Sequence, residues 1–357
     1  MSALRHVKPA VRALRPYTLA ARPAAVKINQ NENPYDLPAE LKQRVLDAAR
    51  TRPWSRYPDF DPRELLEALA RFSGWRADGI LAGNGSNELI EALLMVTVGA
   101  GTSVVIPDPT FSLYALLTGV LGGDVVRVPL GPGFAFDADA LRSAQRGSAA
   151  SVVIVCSPNN PTGTALAPDE IARLCRDTDA LIVVDEAYHE FSGQSVVPLL
   201  PAHPNLVVLR TFSKAMAMAG LRVGYLLASP ELVAEVNKAR LPYNLNFFSQ
   251  AAALAVLDDP RIVQDAVARL VRARDALFTE LAAMPGVHPC RSRANFILFA
   301  LEGRVPAEVF AALYDEGVLV RDVSATPRLR DCLRVSVGTD EENAVFLDAL
   351  RRALARP

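Results

Sequence analysis

The chain has 357 residues, half of them apolar and 22 % charged, a globular composition that excludes a disordered or collagen-like chain, and its length favours two domains over one. Its 38 basic and 39 acidic side chains leave a net charge of −1, so there is no global basic field for nucleic acid, and no apolar run approaches the roughly 18 residues of a membrane span. The cysteines Cys156, Cys175, Cys290 and Cys332 form no CxxC pair, which argues against a disulfide framework or a metal site and suits a reducing cytoplasm.

In chain order, the first thirty residues carry Arg5, Lys8, Arg12, Arg15, Arg22 and Lys27, with no acid before Glu32. They lack the apolar core of a secretory signal and are serine-poor for a transit peptide. They read as an arm, residues 1–30, lying on the body or on a partner subunit. Its only aromatic residue is Tyr17. Pro62 followed by ELLEALARF predicts a helix with proline in its first turn. GSNELIEALLMV predicts a second, opening from Gly83-Asn84-Gly85. The runs TSVVIP, DVVRVPL, SVVIVCSP, ALIVVDE, NLVVLRT and GYLLAS are apolar on both faces, as strands buried in a parallel sheet are. Helices between them, such as 168–176, complete βα units. The expectation is an α/β fold with a large, doubly wound, mostly parallel-sheet domain over 31–236 and ligands at the strands' carboxyl ends.

Beyond about residue 236 the pattern changes. Val263, Ala266, Val267, Leu270, Leu277 and Leu281 form the stripe of a long amphipathic helix. ANFILFAL, GVLVRDV and CLRVSVGT read as strands, and AEVFAALYDEG and ENAVFLDALRRAL as helices. This predicts a smaller α+β domain over 237–357.

Three neighbouring strand ends carry chemistry. SVVIVCSPNNPTG ends in a turn holding Asn160. ALIVVDEAYHE delivers Asp185, an acid that is desolvated there unless it meets a cation, and then Tyr188. NLVVLRTFSKAMAMAGLRVGY ends at Ser213 and Lys214, with Arg222 eight residues on. Only five of the 38 basic residues are lysine, which makes Lys214 conspicuous. A buried lysine amine is drawn toward its reactive neutral form and condenses with aldehydes. An aspartate can keep a pyridine nitrogen protonated, and a glycine-flanked helix start at Gly83–Asn87 offers backbone N–H groups to a phosphate. Together these imply pyridoxal phosphate. Rival motifs fail: Glu88 replaces the third glycine of a dinucleotide fingerprint, Gly193 stands where a zincin needs its second histidine, and no GxSxG elbow exists.

The stretches NENPY, RYPD, GNGSNE, SPNNPTG, DEAYHEF, RTFSKAMAMAGLRVGY and CLRVSVGT resemble the class I/II aminotransferases of pyridoxal-phosphate fold type I, most closely the subgroup acting on histidinol phosphate. The resemblance spans nearly the whole chain. It implies that Lys214 holds the cofactor and shuttles the proton, that Asp185 binds the ring nitrogen, and that Asn160 and Tyr188 bond its phenolic oxygen. It implies that Ser86, Asn87, Ser213 and Arg222, helped by Thr211, bind its phosphate. Phe111 would stack on the ring, where relatives often have tyrosine. Tyr57 would reach the phosphate from the partner subunit, making the active unit a homodimer. Arg334, with Arg321 and Tyr17 nearby, would bind the substrate anion; Asn160 would also border the substrate. Arg334 shares its strand face with Ser336, opposite Leu333, Val335 and Val337.

The activity this implies is a cytoplasmic transamination of histidinol phosphate with 2-oxoglutarate to imidazole-acetol phosphate and glutamate, in histidine biosynthesis, ping-pong through a pyridoxamine form. The alternatives are an aromatic amino-acid aminotransferase, a pyridoxal-phosphate decarboxylase, and a regulator that borrows the fold. The last would need a DNA-binding extension, and the basic arm shows no helix-turn-helix pattern.

Overall fold

In the computed structural model, which describes residues 2–16, 18 and 22–356, two short helical segments, Ala3–His6 and Pro9–Ala13, precede the first strand, the two-residue β1 (Val26–Lys27). The apolar runs that follow pair into one seven-stranded sheet. It consists of β2 (Ile80–Gly83), β3 (Ser103–Asp108), β4 (Asp124–Pro129) and β5 (Val152–Cys156). To these it adds β6 (Leu181–Asp185), β7 (Leu206–Thr211) and β8 (Gly224–Leu227). The spatial order is β2-β8-β7-β6-β5-β3-β4. Every residue of β5 and β7 is buried, as β-branched runs covered by helices on both faces should be.

Two details depart from the sequence reading. GYLLAS forms β8, but it runs antiparallel to both β7 and β2. The 212–223 connection holds only the short turn Ala219–Leu221, and without a crossover helix the chain returns antiparallel. The strand β2 escaped notice because ILAG is short and ends in two weak strand formers; pairing with β8 makes it a strand.

The C-terminal sheet contains β9 (Val287–Pro289) and β10 (Phe296–Leu301). GVLVRDV, read as one strand, is broken at Val320 into β11 (Val318–Leu319) and β12 (Arg321–Asp322). It changes partner there: β11 pairs in parallel with β1, whereas β12 pairs antiparallel with β13 (Cys332–Ser336). The arm's Val26 and Ile28 thereby join the apolar core of the C-terminal sheet. The helix Pro260–Ala282 belongs to both cores. Its Val263 and Leu270 pack in the cluster of the large sheet, and its Leu277 and Leu281 in that of the small one.

Strand alternation decides what reaches the site. Val183, Val207 and Leu209 pack on the sheet face covered by the helix Ser86–Thr97, together with Ile154 and Cys156. Two residues further on the same face come Asp185 and Thr211. Glu186 and Arg210 point to the opposite face, where they form a buried ion pair at 2.9 Å.

Candidate active site

A cavity of about 400 Å³ opens at the carboxyl ends of β5, β6 and β7. Lys214 lies in its wall just past β7, and its Nζ donates to the Gln30 carbonyl at 2.9 Å. Burial, and next the positive charge of Arg334, pull the Lys214 pKa from 10.5 down to about 8. This lysine is therefore poised to be neutral in mildly alkaline solution, unlike a surface lysine.

At the end of β6, Asp185 is only 4 % exposed. Its Oδ2 accepts from the Tyr114 hydroxyl at 2.7 Å, and its Oδ1 from the Ala187 N–H at 3.0 Å. Burial raises its pKa, against the opposing pull of those two donors. No described cation lies within ion-pair distance of it, so a cationic N–H in the cavity would complete its surroundings.

At another wall, the helix Ser86–Thr97 starts without a side-chain cap, after Gly85 at φ 83°. A Cβ on Gly85 would overlap the Arg222 guanidinium, and one on Gly224 would overlap the Ser86 backbone nitrogen. Gly224 is required by this close approach of backbone, and Gly85 by its left-handed φ. The result is a helix N-terminus with an arginine folded over it. Arg222 Nη1 donates to Ser213 Oγ at 3.0 Å, and the Thr211 and Ser213 hydroxyls bond each other at 3.0 Å. Backbone N–H groups, hydroxyls and a guanidinium converging at a helix start make an anion cradle.

The remaining wall comes from the turn after β5 and from β12 and β13. Of the two asparagines in SPNNPTG, Asn159 is structural: its amide bonds the Pro109 carbonyl and Thr162 Oγ1, both at 2.9 Å. Asn160 faces the cavity and accepts from Arg334 Nη1 at 2.5 Å. Arg334 Nη2 donates to the Asn29 carbonyl at 2.8 Å. Arg321 is the direct cross-strand partner of Arg334, so two guanidinium groups border the same end. Tyr188 is buried, burial pushes its phenol pKa up, and its oxygen accepts from Asn31 Nδ2 at 3.0 Å. Phe111 lines the cavity edge-on to Tyr114, with ring centroids 5.5 Å apart.

Ser86, Asn87, Phe111, Asn160, Asp185, Tyr188, Thr211, Ser213, Lys214, Arg222, Arg321 and Arg334 thus share one cavity. Tyr57 does not: it is 76 % exposed and stacks on Tyr243 at 4.4 Å. Tyr17 lies outside the described residues. Tyr114 was missed, although it follows Phe111 by three residues and so shares its side of a helical turn. Asn29, Gln30 and Asn31 also line the cavity, and of these Asn31 opens the stretch NENPY.

The family described as aminotransferase class I and II matches residues 23–350. This chain belongs to the class I and II aminotransferases. Among curated members, a histidinol-phosphate aminotransferase of Chlorobium phaeovibrioides is 42 % identical over 97 % of this chain and 96 % of its own length. One of Chlorobaculum tepidum is 41 % identical over 97 % and 99 %. The crystal structure of histidinol-phosphate aminotransferase from Sinorhizobium meliloti in complex with pyridoxal-5'-phosphate has a TM-score of 0.89 and 25 % identity, covering 99 % of this chain and 98 % of that one. The architecture is therefore that of fold type I aminotransferases: a large, mostly parallel sheet and a separate small antiparallel one.

Proposed function

We propose that this aminotransferase moves an amino group from histidinol phosphate to 2-oxoglutarate, giving imidazole-acetol phosphate and glutamate in histidine biosynthesis, with pyridoxal phosphate as cofactor. The relatives of about 40 % identity support the substrate. The observation that carries the reading is one cavity holding an amine of lowered pKa, a buried carboxyl with no cation at ion-pair distance among the described residues, and an anion cradle.

The residues fit the cofactor. Lys214 would hold its aldehyde carbon, and Asp185 its ring nitrogen. Ser86, Asn87, Thr211, Ser213 and Arg222 would take its phosphate. Tyr188, together with the Asn160 Nδ2 that Arg334 leaves available, would take its phenolic oxygen, and Phe111 would cover the ring face. When bound, the cofactor supplies an electron sink for the carbon that loses its proton. The Lys214 amine is the base placed to take that proton and return it, because its pKa of about 8 lies near working pH. Arg334 and Arg321, with Tyr17, would receive the phosphate of one substrate and a carboxylate of the other.

Homodimeric assembly is part of this reading. Trp54, Tyr57, Phe60, Leu241 and Tyr243 are all exposed aromatic or apolar side chains, an unusual cluster for a monomer's surface. Tyr57 would then serve the partner's phosphate site; a monomeric molar mass in solution would contradict this. The reading further places the enzyme in the cytoplasm. It divides the chain into the arm 1–30, a cofactor domain 31–236 and a C-terminal domain 237–357, with the helix Phe247–Leu257 lying against Ala39–Thr51 of the cofactor domain.

The deciding assay is the half-reaction of the purified holoenzyme. A kcat/KM for histidinol phosphate at least roughly tenfold above that for phenylalanine is expected. The reverse ranking selects the aromatic aminotransferase, and carbon dioxide release without a 2-oxo acid selects the decarboxylase. Arg334→Lys keeps the charge but loses the planar fork, which is already braced by Asn160 and the Asn29 carbonyl. It should lower kcat/KM roughly ten- to a hundredfold in both half-reactions; near-normal values would remove Arg334 from the site. Uptake of pyridoxal phosphate by the cofactor-free protein should quicken with rising pH, as the neutral amine forms, with a midpoint at about 8. A midpoint near 10.5 would mean that Lys214 is not perturbed.

A further inference from the structure

The first asparagine of NENPY enters none of these roles, yet it touches the cavity. Asn31 is 1 % exposed and has φ 55°, a left-handed conformation that asparagine tolerates. Its backbone N–H donates to Ser336 Oγ at 2.8 Å, and that hydroxyl donates to Asn31 Oδ1 at 3.2 Å. Asn31 Nδ2 then donates to the Tyr188 phenol oxygen at 3.0 Å. Reversing the amide would turn its NH₂ toward Ser336 Oγ and strand the serine proton, which bonds no other acceptor among the described residues. The donor sense of the chain is thereby dictated. Tyr188 accepts from Asn31, and its own proton meets no acceptor among the described residues except across the cavity that it lines.

We propose that Asn31, oriented by Ser336, is a positioning residue that aims the Tyr188 hydroxyl proton into the cavity, at the phenolic oxygen of the bound cofactor. The proposal rests on the reading of this cavity as the pyridoxal phosphate site. Ser336 lies two residues beyond Arg334 on β13, so one strand of the C-terminal sheet borders the substrate end and also sets a donor at the cofactor. The charged and titratable groups around Tyr188 are Arg334, Asp185 and Cys156, with Lys214 Nζ 5.9 Å from the ring centroid; none of them bonds its hydroxyl.

The test is a pH titration of the reconstituted holoenzyme, read from the absorbance of the bound cofactor. A hydrogen bond donated to the phenolic oxygen favours its anion, so Tyr188→Phe should raise the midpoint by about one unit. Asn31→Asp is isosteric and suits the left-handed backbone, but an ionised carboxylate only accepts, so it turns the Tyr188 proton away. It should shift the midpoint about as far as Tyr188→Phe does. The part due to the added charge is read in a Tyr188→Phe background, where Asn31→Asp should add less than about half of that shift. Asn31→Gly keeps the backbone conformation and the bond to Ser336, and should give an intermediate shift; it serves if the aspartate variant does not fold. Equal Asn31→Asp shifts with and without the Tyr188 hydroxyl overturn the proposal, as does an unmoved midpoint in the Asn31 variants. In either case, cofactor uptake by the unaltered chain leaves the site reading standing. An unaltered chain that takes up no pyridoxal phosphate overturns both.

Discussion

Changing Lys214 to alanine is expected to abolish transamination, with a loss of roughly 10⁴-fold or more, as when the group making the covalent bond is removed. No other lysine stands ready to replace it. Lys27 pairs with Glu32, Lys42 with Asp36 and Lys238 with Glu235, while Lys8 donates to the Val120 carbonyl. The fold should not suffer. An ammonium whose folded pKa is lowered from 10.5 to about 8 weakens the native state at every pH below 8. That penalty is relieved as pH climbs toward the unfolded value. Thermal unfolding of the cofactor-free variant at pH 7 should therefore occur at or above the unaltered chain's temperature. Borohydride reduction of the loaded enzyme, followed by peptide mapping, should find the cofactor on Lys214. An active variant with the cofactor reduced onto another lysine would sink the assignment.

Asp185→Asn should slow the chemical step by roughly a hundredfold or more, the scale on which preorganised electrostatic partners act, while cofactor uptake persists. The carboxylate is oriented by the Tyr114 hydroxyl and the Ala187 N–H, and an amide can satisfy both by letting Tyr114 turn its proton. It cannot hold a proton on a ring nitrogen. Stability gives an independent check. Burial raises the Asp185 pKa above 3.8, so the native state loses stability as pH rises through the unfolded value to the folded one. The penalty is fully present above that. The neutral amide removes it, so the cofactor-free variant should be no less stable at pH 7. Single-turnover rates with glutamate separate the two effects. A kcat near that of the unaltered chain would mean that another group protonates the ring.

The buried strands were legible because VVIVC, LIVV and LVVL are apolar runs rich in β-branched residues, and the residues that follow each run are where a parallel sheet exposes its carboxyl end. Asp185 and Lys214 could be found from this alone, since each follows its run within a few residues, and the period of two puts Asp185 and Thr211 on one face. Gly85 was legible as a helix start, whereas the need for glycine at 224, against the Ser86 backbone, arises only once β8 is folded back.

The direction of β8 and the break at Val320 were set by partners rather than by propensity. A four- to seven-residue run reads the same in either direction, and only the lack of a crossover helix, or the separate pairings with β1 and β13, decides. The same holds for the polar contacts that tune the site. Tyr114 meets Asp185 across 71 positions, and Asn31 meets Ser336 across 305. Composition and periodicity report on neighbours within about one helical turn or one strand pair. By itself the sequence determined which residue types stand at the strand ends, and hence the chemistry available to this aminotransferase. Tertiary structure decided which atoms face each other, because donor direction and depressed or raised pKa values arise from burial and from groups that meet only when the two sheets close on the cavity.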